Sequence, residues 1–294
     1  MKLEKENVVY SFSAGHKPVE ELSPGEVLVV ETADCFNGQI HESELNLAEV
    51  KWEEVFPATG PFYIVGAQPG DAMEIEILDI KTAQQGIGIL APETGVLPLS
   101  SPKVKILQLA TSSLVIADGL SVPVQPMVGV IGVAPPEGEI GNGLAGIHGG
   151  RLFTKEIRPG AKVYLPVFHP GALLTLGDVQ LLLGDGAVSG SGIGTSAEVK
   201  FRVEVIKGMD LEGPRVTAEA GTYFLAVDDN IAAAIESACS TAVDFISQAT
   251  GLSPEESYMI AGAIGQLGFC QGAGAPYIVK FFVPRSLKVL LGEE

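Results

Sequence analysis

The stretch "MEIEILDI" at 73–80 constrains the fold more than any other. Met73, Ile75 and Ile77 alternate with Glu74 and Glu76, a period of two that marks a strand with one face in a core and one face wet. The same pattern of short runs continues to about residue 210. "VVYSFS", "EVLVVET", "PFYIVGA", "KVKILQLA", "SLVIADG" and "FRVEVIKGMD" are all rich in β-branched or aromatic residues. Between such runs, "SPGE" (23–26) and "QPGD" (68–71) set Pro then Gly where a type II turn needs a fixed and then a positive φ. The 36 glycines and 19 prolines among 294 residues fit a chain of many turns and short elements.

Past residue 210 the period changes. In "DDNIAAAIESACSTAVDFISQATG" the apolar positions Ile231, Ile235, Ala238, Ala242, Phe245 and Ile246 follow a helical spacing, and Gly251 stands where a helix ends. "SPEE" then offers Ser253 as N-cap, Pro254 at the first helical position and Glu256 three residues on, a capping box that opens a second helix. Gly262 and Gly265 weaken that helix towards its end, and "YIVKFFVP" returns to strand. The expected fold is mainly β in its first two thirds, barrel- or sandwich-like, followed by a smaller α+β unit. The expected units are 1–210, carrying the glycine-rich loops, and 211–294, with two helices and a terminal strand.

The totals exclude several functions. A net charge of −18 repels phosphate backbones, so nucleic acid is not an expected partner. Three cysteines, Cys35, Cys239 and Cys270, are too few and too scattered for a disulfide framework or a metal-ligand spacing. The uncharged stretch 119–136 is broken by Pro123, Pro126 and Pro135, so it is not expected to span a membrane. "MKLEKENVVYSFS" has no apolar run of signal-peptide length, and a cytoplasmic protein is expected. No Walker A, dinucleotide, zinc-finger, H-E-x-x-H or G-x-S-x-G motif occurs. "GSGIGTS" (190–196) is followed by the strand-like "AEVKFRVEV" and opens no helix, so no nucleotide cofactor is expected.

Unusual text is densest from 127 to 194. "IHGG" sets His148 beside two flexible peptides, one way to combine a base or a ligand with oxyanion donors at Gly149 and Gly150; loop-capping by the histidine and turn-making by the glycines is the alternative. Asp34 follows a strand run, where a carboxylate is either presented at a sheet edge or solvated in a turn. Cys35 has no base near it in sequence. His16 and His41 sit in surface-like text, and His169 in "VFHPG" reads as structural. "GALLTLGDVQLLLGDGAVSGSG" (171–192) carries two Gly-Asp pairs, Gly177-Asp178 and Gly184-Asp185, around residues that do not ionise. A catalytic loop, a loop without its catalyst, and a pair of turns all fit.

Ordered motifs over nearly the whole chain give it a family resemblance. They include "KPVEELSPGEVLVVETADCFNGQI", "TGPFYIVGAQPGDAMEIEILDI", "PMVGVIGVAP", "IHGG", "LPVFHPGALLTLGD", "GDGAVSGSGI" and "GLSPEESYMIAGAIGQLGFCQ". The chain resembles the acetamidase/formamidase family. The resemblance implies hydrolysis of short linear amides to ammonia and a carboxylate by a homo-oligomer, a dimer being expected. On it, His148, Asp34 and Asp185 are the catalytic candidates, and their nitrogen and oxygen donors suit one divalent metal, of zinc or of calcium/magnesium class. Gly149 and Gly150 serve the oxyanion, Gln180 orients substrate or water, and Arg151 clamps a carboxylate or lies on the surface. The chain departs from the family's usual residues at Gln180 (His), Ala187 (Glu), Gly194 (Glu), Arg151 (Asn), Phe153 (Asp) and Gln266 (Asp). The alternative is therefore a catalytically reduced homologue that binds or senses a small molecule.

Overall fold

The computed structural model describes residues 2–4, 7–41, 49–92, 94–98 and 101–287. Residues 288–294, the end of the expected second unit, lie outside them.

The expected β-rich part is there. A nine-stranded sheet has the order Lys2–Leu3, Val27–Thr32, Ala197–Ile206, Ala72–Thr82, Lys162–Pro166, Arg215–Ala218, Gly221–Asp228, Tyr277–Pro284, Gln266–Gln271. The alternation at 73–77 is realised in it. Met73, Ile75 and Ile77 are fully buried, while Glu74 and Glu76 face outward and pair with Lys162 and Arg202 of the two neighbouring strands. A twelve-stranded sheet is built around Leu174–Leu182. That strand pairs with Met127–Gly132 on one side, and with Ala58–Ile64 and Ile193–Gly194 on the other.

The inner faces of the two sheets share one core. Val30, Ile75, Val163 and Phe201 come from the first sheet, and Phe62, Val128, Ile131, Leu176 and Val179 from the second. The arrangement is a sandwich, the one of the two expected forms in which facing sheets bury each other's apolar rows. Residue 210 falls in the connection between Ala197–Ile206 and Arg215–Ala218, and the nine-stranded sheet holds strands from both sides of it.

The two expected helices are α1 (Ile231–Thr250) and α2 (Pro254–Ile264). The Asn230 side chain caps α1 by accepting from the N–H groups of Ala232 and Ala233, and Gly251 ends it in the left-handed region at φ 73°. The Ser253–Glu256 capping box of α2 is formed as expected. The buried stripe of α1 is Ala234, Ala238, Ala242 and Ile246, against Phe224, Ala226, Val279 and Phe281 of the sheet. Alanines let the helix approach closely, and Ile231 in the first turn stays 41% exposed. Strands Gly221–Asp228 and Tyr277–Pro284 are thus covered on both faces, since Leu225 and Ile278 belong to the sandwich core. The strand Gln266–Gln271, directly after α2, has no clear alternation in sequence and was not anticipated.

Candidate active site

Leu174–Leu182 is buried along almost its whole length, yet it carries Asp178 and Gln180 at its middle. The first Gly-Asp pair is therefore part of a strand and not a turn; only Gly184-Asp185 lies in a connection. Asp178 has φ 49°, a conformation that costs a non-glycine residue free energy. Opposite it, Gly129 is obligatory: a Cβ there would stand 2.5 Å from the Asp178 carbonyl oxygen.

A cation faces this carboxylate. Arg151 Nε lies 3.8 Å from Asp178 Oδ2, with side-chain exposures of 12% and 0%. The guanidinium is stacked between Phe56 at 4.6 Å and Phe153 at 3.7 Å, and its Nη2 donates to the Gly190 carbonyl at 3.1 Å. The surface placement weighed for Arg151 is thus corrected: the two rings and the carboxylate draw it inside. Gln180 Nε2 donates to Asp178 Oδ1 at 2.6 Å. Asp178 Oδ2, Arg151 Nε and Gln180 Oε1 have no hydrogen-bond partner among the described residues. Burial raises the Asp178 carboxyl to about 6, against the pull of Arg151 and Gln180.

Cys35 and Gly194 close the cluster. A Cβ on Gly194 would stand 3.1 Å from Cys35 Sγ and 3.5 Å from Gln180 Nε2. Burial, then the fields of Asp178 and Asp34, push the Cys35 thiol well above its ordinary range, which leaves it a poor nucleophile. Positions 151, 153, 180 and 194, four of the departures from the family's usual residues, are thus gathered around Asp178. Ala187 lies in the turn that follows Asp185, its carbonyl accepting the N–H of Gly190.

Asp34 borders this cluster and opens outward. It lines a cavity of about 260 Å³ together with Gln84, Gln85, Gln108, Thr195 and Ser196. Its two oxygens accept the backbone N–H groups of Phe36 at 2.9 Å and Gly38 at 3.1 Å, so it both caps a turn and presents a carboxylate to the cavity.

The other candidates lie elsewhere. His148 is fully buried against Phe12, and neither ring nitrogen has a hydrogen-bond partner among the described residues. Burial lowers it to about 4, so it is neutral at pH 7. Gly149 and Gly150 form a short strand paired on both edges, with Ile131–Gly132 and Ala145–Gly146. At φ 97° and 94°, with carbonyl oxygens 2.4 and 2.2 Å from where a Cβ would sit, they are glycines for backbone packing. Asp185 lines a different cavity and is bound by Lys155 at 2.6 Å and Lys280 at 2.7 Å. His169 reaches the Pro135 carbonyl at 2.8 Å, the structural role expected of it.

No hydrogen bond joins His148, Asp34 and Asp185, and no three His, Cys, Asp or Glu side chains among the described residues are grouped to hold a metal ion. The ligand set taken from the resemblance does not fit a metal in this structure, because Asp185 is neutralised by lysines and His148 is enclosed by apolar groups and glycines. Asp178 is the residue that sequence reasoning passed over. Its signal was an acid inside a run of leucines, where a buried carboxylate requires partners.

The family model for "Acetamidase/Formamidase family" matches residues 12–140 and 145–273. The crystal structure of an acetamidase from Bacillus halodurans is 37% identical, with a TM-score of 0.96 over 100% of both chains. That of a recombinant predicted acetamidase/formamidase from Thermoanaerobacter tengcongensis is 35% identical, with a TM-score of 0.95 over 99% of this chain and 98% of the other. The formamidase of Methylophilus methylotrophus is 25% identical over 247 residues, 63% of this chain. The chain spans 61% of the length of the curated relatives it matches.

Proposed function

Because the chain belongs to the acetamidase/formamidase family, we propose that it hydrolyses the C–N bond of short linear amides to ammonia and a carboxylate at the site formed by Asp34 and Asp178. The observation that carries this is a cavity of about 260 Å³ with the Asp34 carboxylate on its wall, in a chain where Asp34 borders a buried cluster whose Asp178 is raised to about 6. Two acids held in different environments divide the roles of base and proton store. Asp34 takes the proton of the attacking water, and the amides of Gln85 and Gln108 and the Thr195 hydroxyl orient the substrate. Asp178 supplies the proton that the leaving ammonia needs. A cavity of about 260 Å³ has room for a substrate of a few carbons.

One observation favours a second reading, the catalytically reduced homologue. Arg151, held between Phe56 and Phe153, occupies the space beside Asp178, and a carboxyl beside a fixed cation holds less readily the proton it would have to supply. On this reading the cavity binds a small amide without turning it over.

The test is ammonia release from formamide, acetamide, propionamide and hexanamide, with and without added zinc, calcium or magnesium. Release that falls with chain length supports hydrolysis in the cavity. No release from folded protein, with a thermal shift on adding acetamide, supports the second reading.

A further inference from the structure

A second cavity, of about 530 Å³, shares no lining residue with the Asp34 cavity. It lies where strands Gly221–Asp228, Gln266–Gln271 and Tyr277–Pro284 meet the segment 155–158. Its charged wall is Lys155, Arg158 and Lys280 against Glu156 and Asp185. Three cations face two carboxylates, in a chain with 36 acidic and 18 basic residues. The local balance is the reverse of the overall one.

The donors are unequally committed. Lys280, 6% exposed, uses its ammonium on both oxygens of Glu156, at 2.8 and 2.9 Å, and on Asp185 at 2.7 Å. Lys155 gives one hydrogen bond to Asp185. Arg158 is exposed and donates only to the neutral amide of Gln125, at 3.2 Å. Its charge has no carboxylate partner among the described residues, and most of its guanidinium donors remain for a ligand. The other wall is the rings of Tyr223 and Phe282, 4.7 Å apart on the same face of the sheet as Lys280.

We propose that this cavity binds a short aliphatic carboxylate, its carboxylate forked on Arg158 with Lys155 alongside, and its hydrocarbon tail on Tyr223 and Phe282. One uncompensated positive charge matches a monoanion, and the planar guanidinium matches the two oxygens of a carboxylate. The apolar wall has no use for inorganic phosphate. The volume is within the range of small-molecule pockets. The inference is independent of whether the chain hydrolyses amides, although a carboxylate is the product class of such a reaction.

The experiment is calorimetric titration of the full chain at low salt with acetate, butyrate, hexanoate and inorganic phosphate. The expected result is binding that tightens about fourfold per added methylene, is weakened tenfold or more in Arg158→Gln, and loses its chain-length dependence in Phe282→Ser. Arg158 is exposed, so the variant is expected to melt with the wild type in the absence of ligand. Undetectable carboxylate binding, binding unchanged in Arg158→Gln, or phosphate binding tighter than hexanoate would each overturn the proposal.

Discussion

Two neighbouring ion clusters of this chain behave in opposite ways. In one, Lys280 meets Glu156 and Asp185 through hydrogen bonds of 2.7–2.9 Å. Burial opposes the charge on Asp185, but hydrogen bonds from Lys155 and Lys280 outweigh it and hold the carboxyl below its ordinary range. In the other, Arg151 and Asp178 approach to 3.8 Å without a hydrogen bond between them, and burial raises Asp178 to about 6. Both clusters draw on the same two segments, 151–156 and 178–185. Hydrogen bonds from two lysines hold the half-exposed Asp185 as an ion, while full burial leaves Asp178 able to exchange a proton near neutrality.

The largest expected effect comes from breaking the locked cluster. Lys280→Met strands Glu156 beside Asp185 and should cost about 3–5 kcal/mol at pH 7, read by urea denaturation. Arg151→Met should cost about 3 kcal/mol at pH 8. Without Arg151 the Asp178 carboxyl rises further, so the variant takes up a proton that the wild type does not. Its deficit should then shrink by about 1.4 kcal/mol per pH unit down to about pH 6. An Arg151→Met deficit that stays constant between pH 8 and 6 would break the contrast.

A smaller effect sharpens it. Asp178 is raised in the folded state, so its contribution to stability is full below about 3.8 and is lost as pH rises through about 6. His148 is depressed, so its contribution is full above 6.5 and is lost as pH falls through about 4. The two slopes oppose each other in the same window, and wild-type stability should be nearly flat between pH 4 and 6. Asp178→Asn should expose a loss of stability on acidification, and His148→Gln a gain. Each slope is at most about 1.4 kcal/mol per pH unit, measured by chemical denaturation along a pH series.

Much of the framework was legible in the sequence, because local physics determines it. Alternation set the strand at 72–82, and capping residues set the end of α1 and the start of α2. The sandwich depends on which face of each strand meets which partner, and that is decided by pairings such as Lys200 with Val29 and Asp79, remote in sequence. The site was legible only as a list of residue types. Cys35, Arg151, Asp178 and Gly194 come from separate segments, and nothing local to "HGGR" shows that its arginine turns inward between two phenylalanines. Asp185 looked equivalent to Asp178 because both follow a glycine; one is in a strand within the core and the other in a lysine-bound turn.

The most direct test compares the two regions as catalysts. Ammonia release from formamide and acetamide should be followed for wild type, Asp34→Asn and Asp185→Asn at pH 7, each shown to be folded. Release by the wild type, at least a hundredfold lower in Asp34→Asn and within a few-fold in Asp185→Asn, is the expected result. A folded wild type that releases none, or an Asp185→Asn variant that loses activity while Asp34→Asn keeps it, would contradict the assignment of catalysis to the Asp34–Asp178 site.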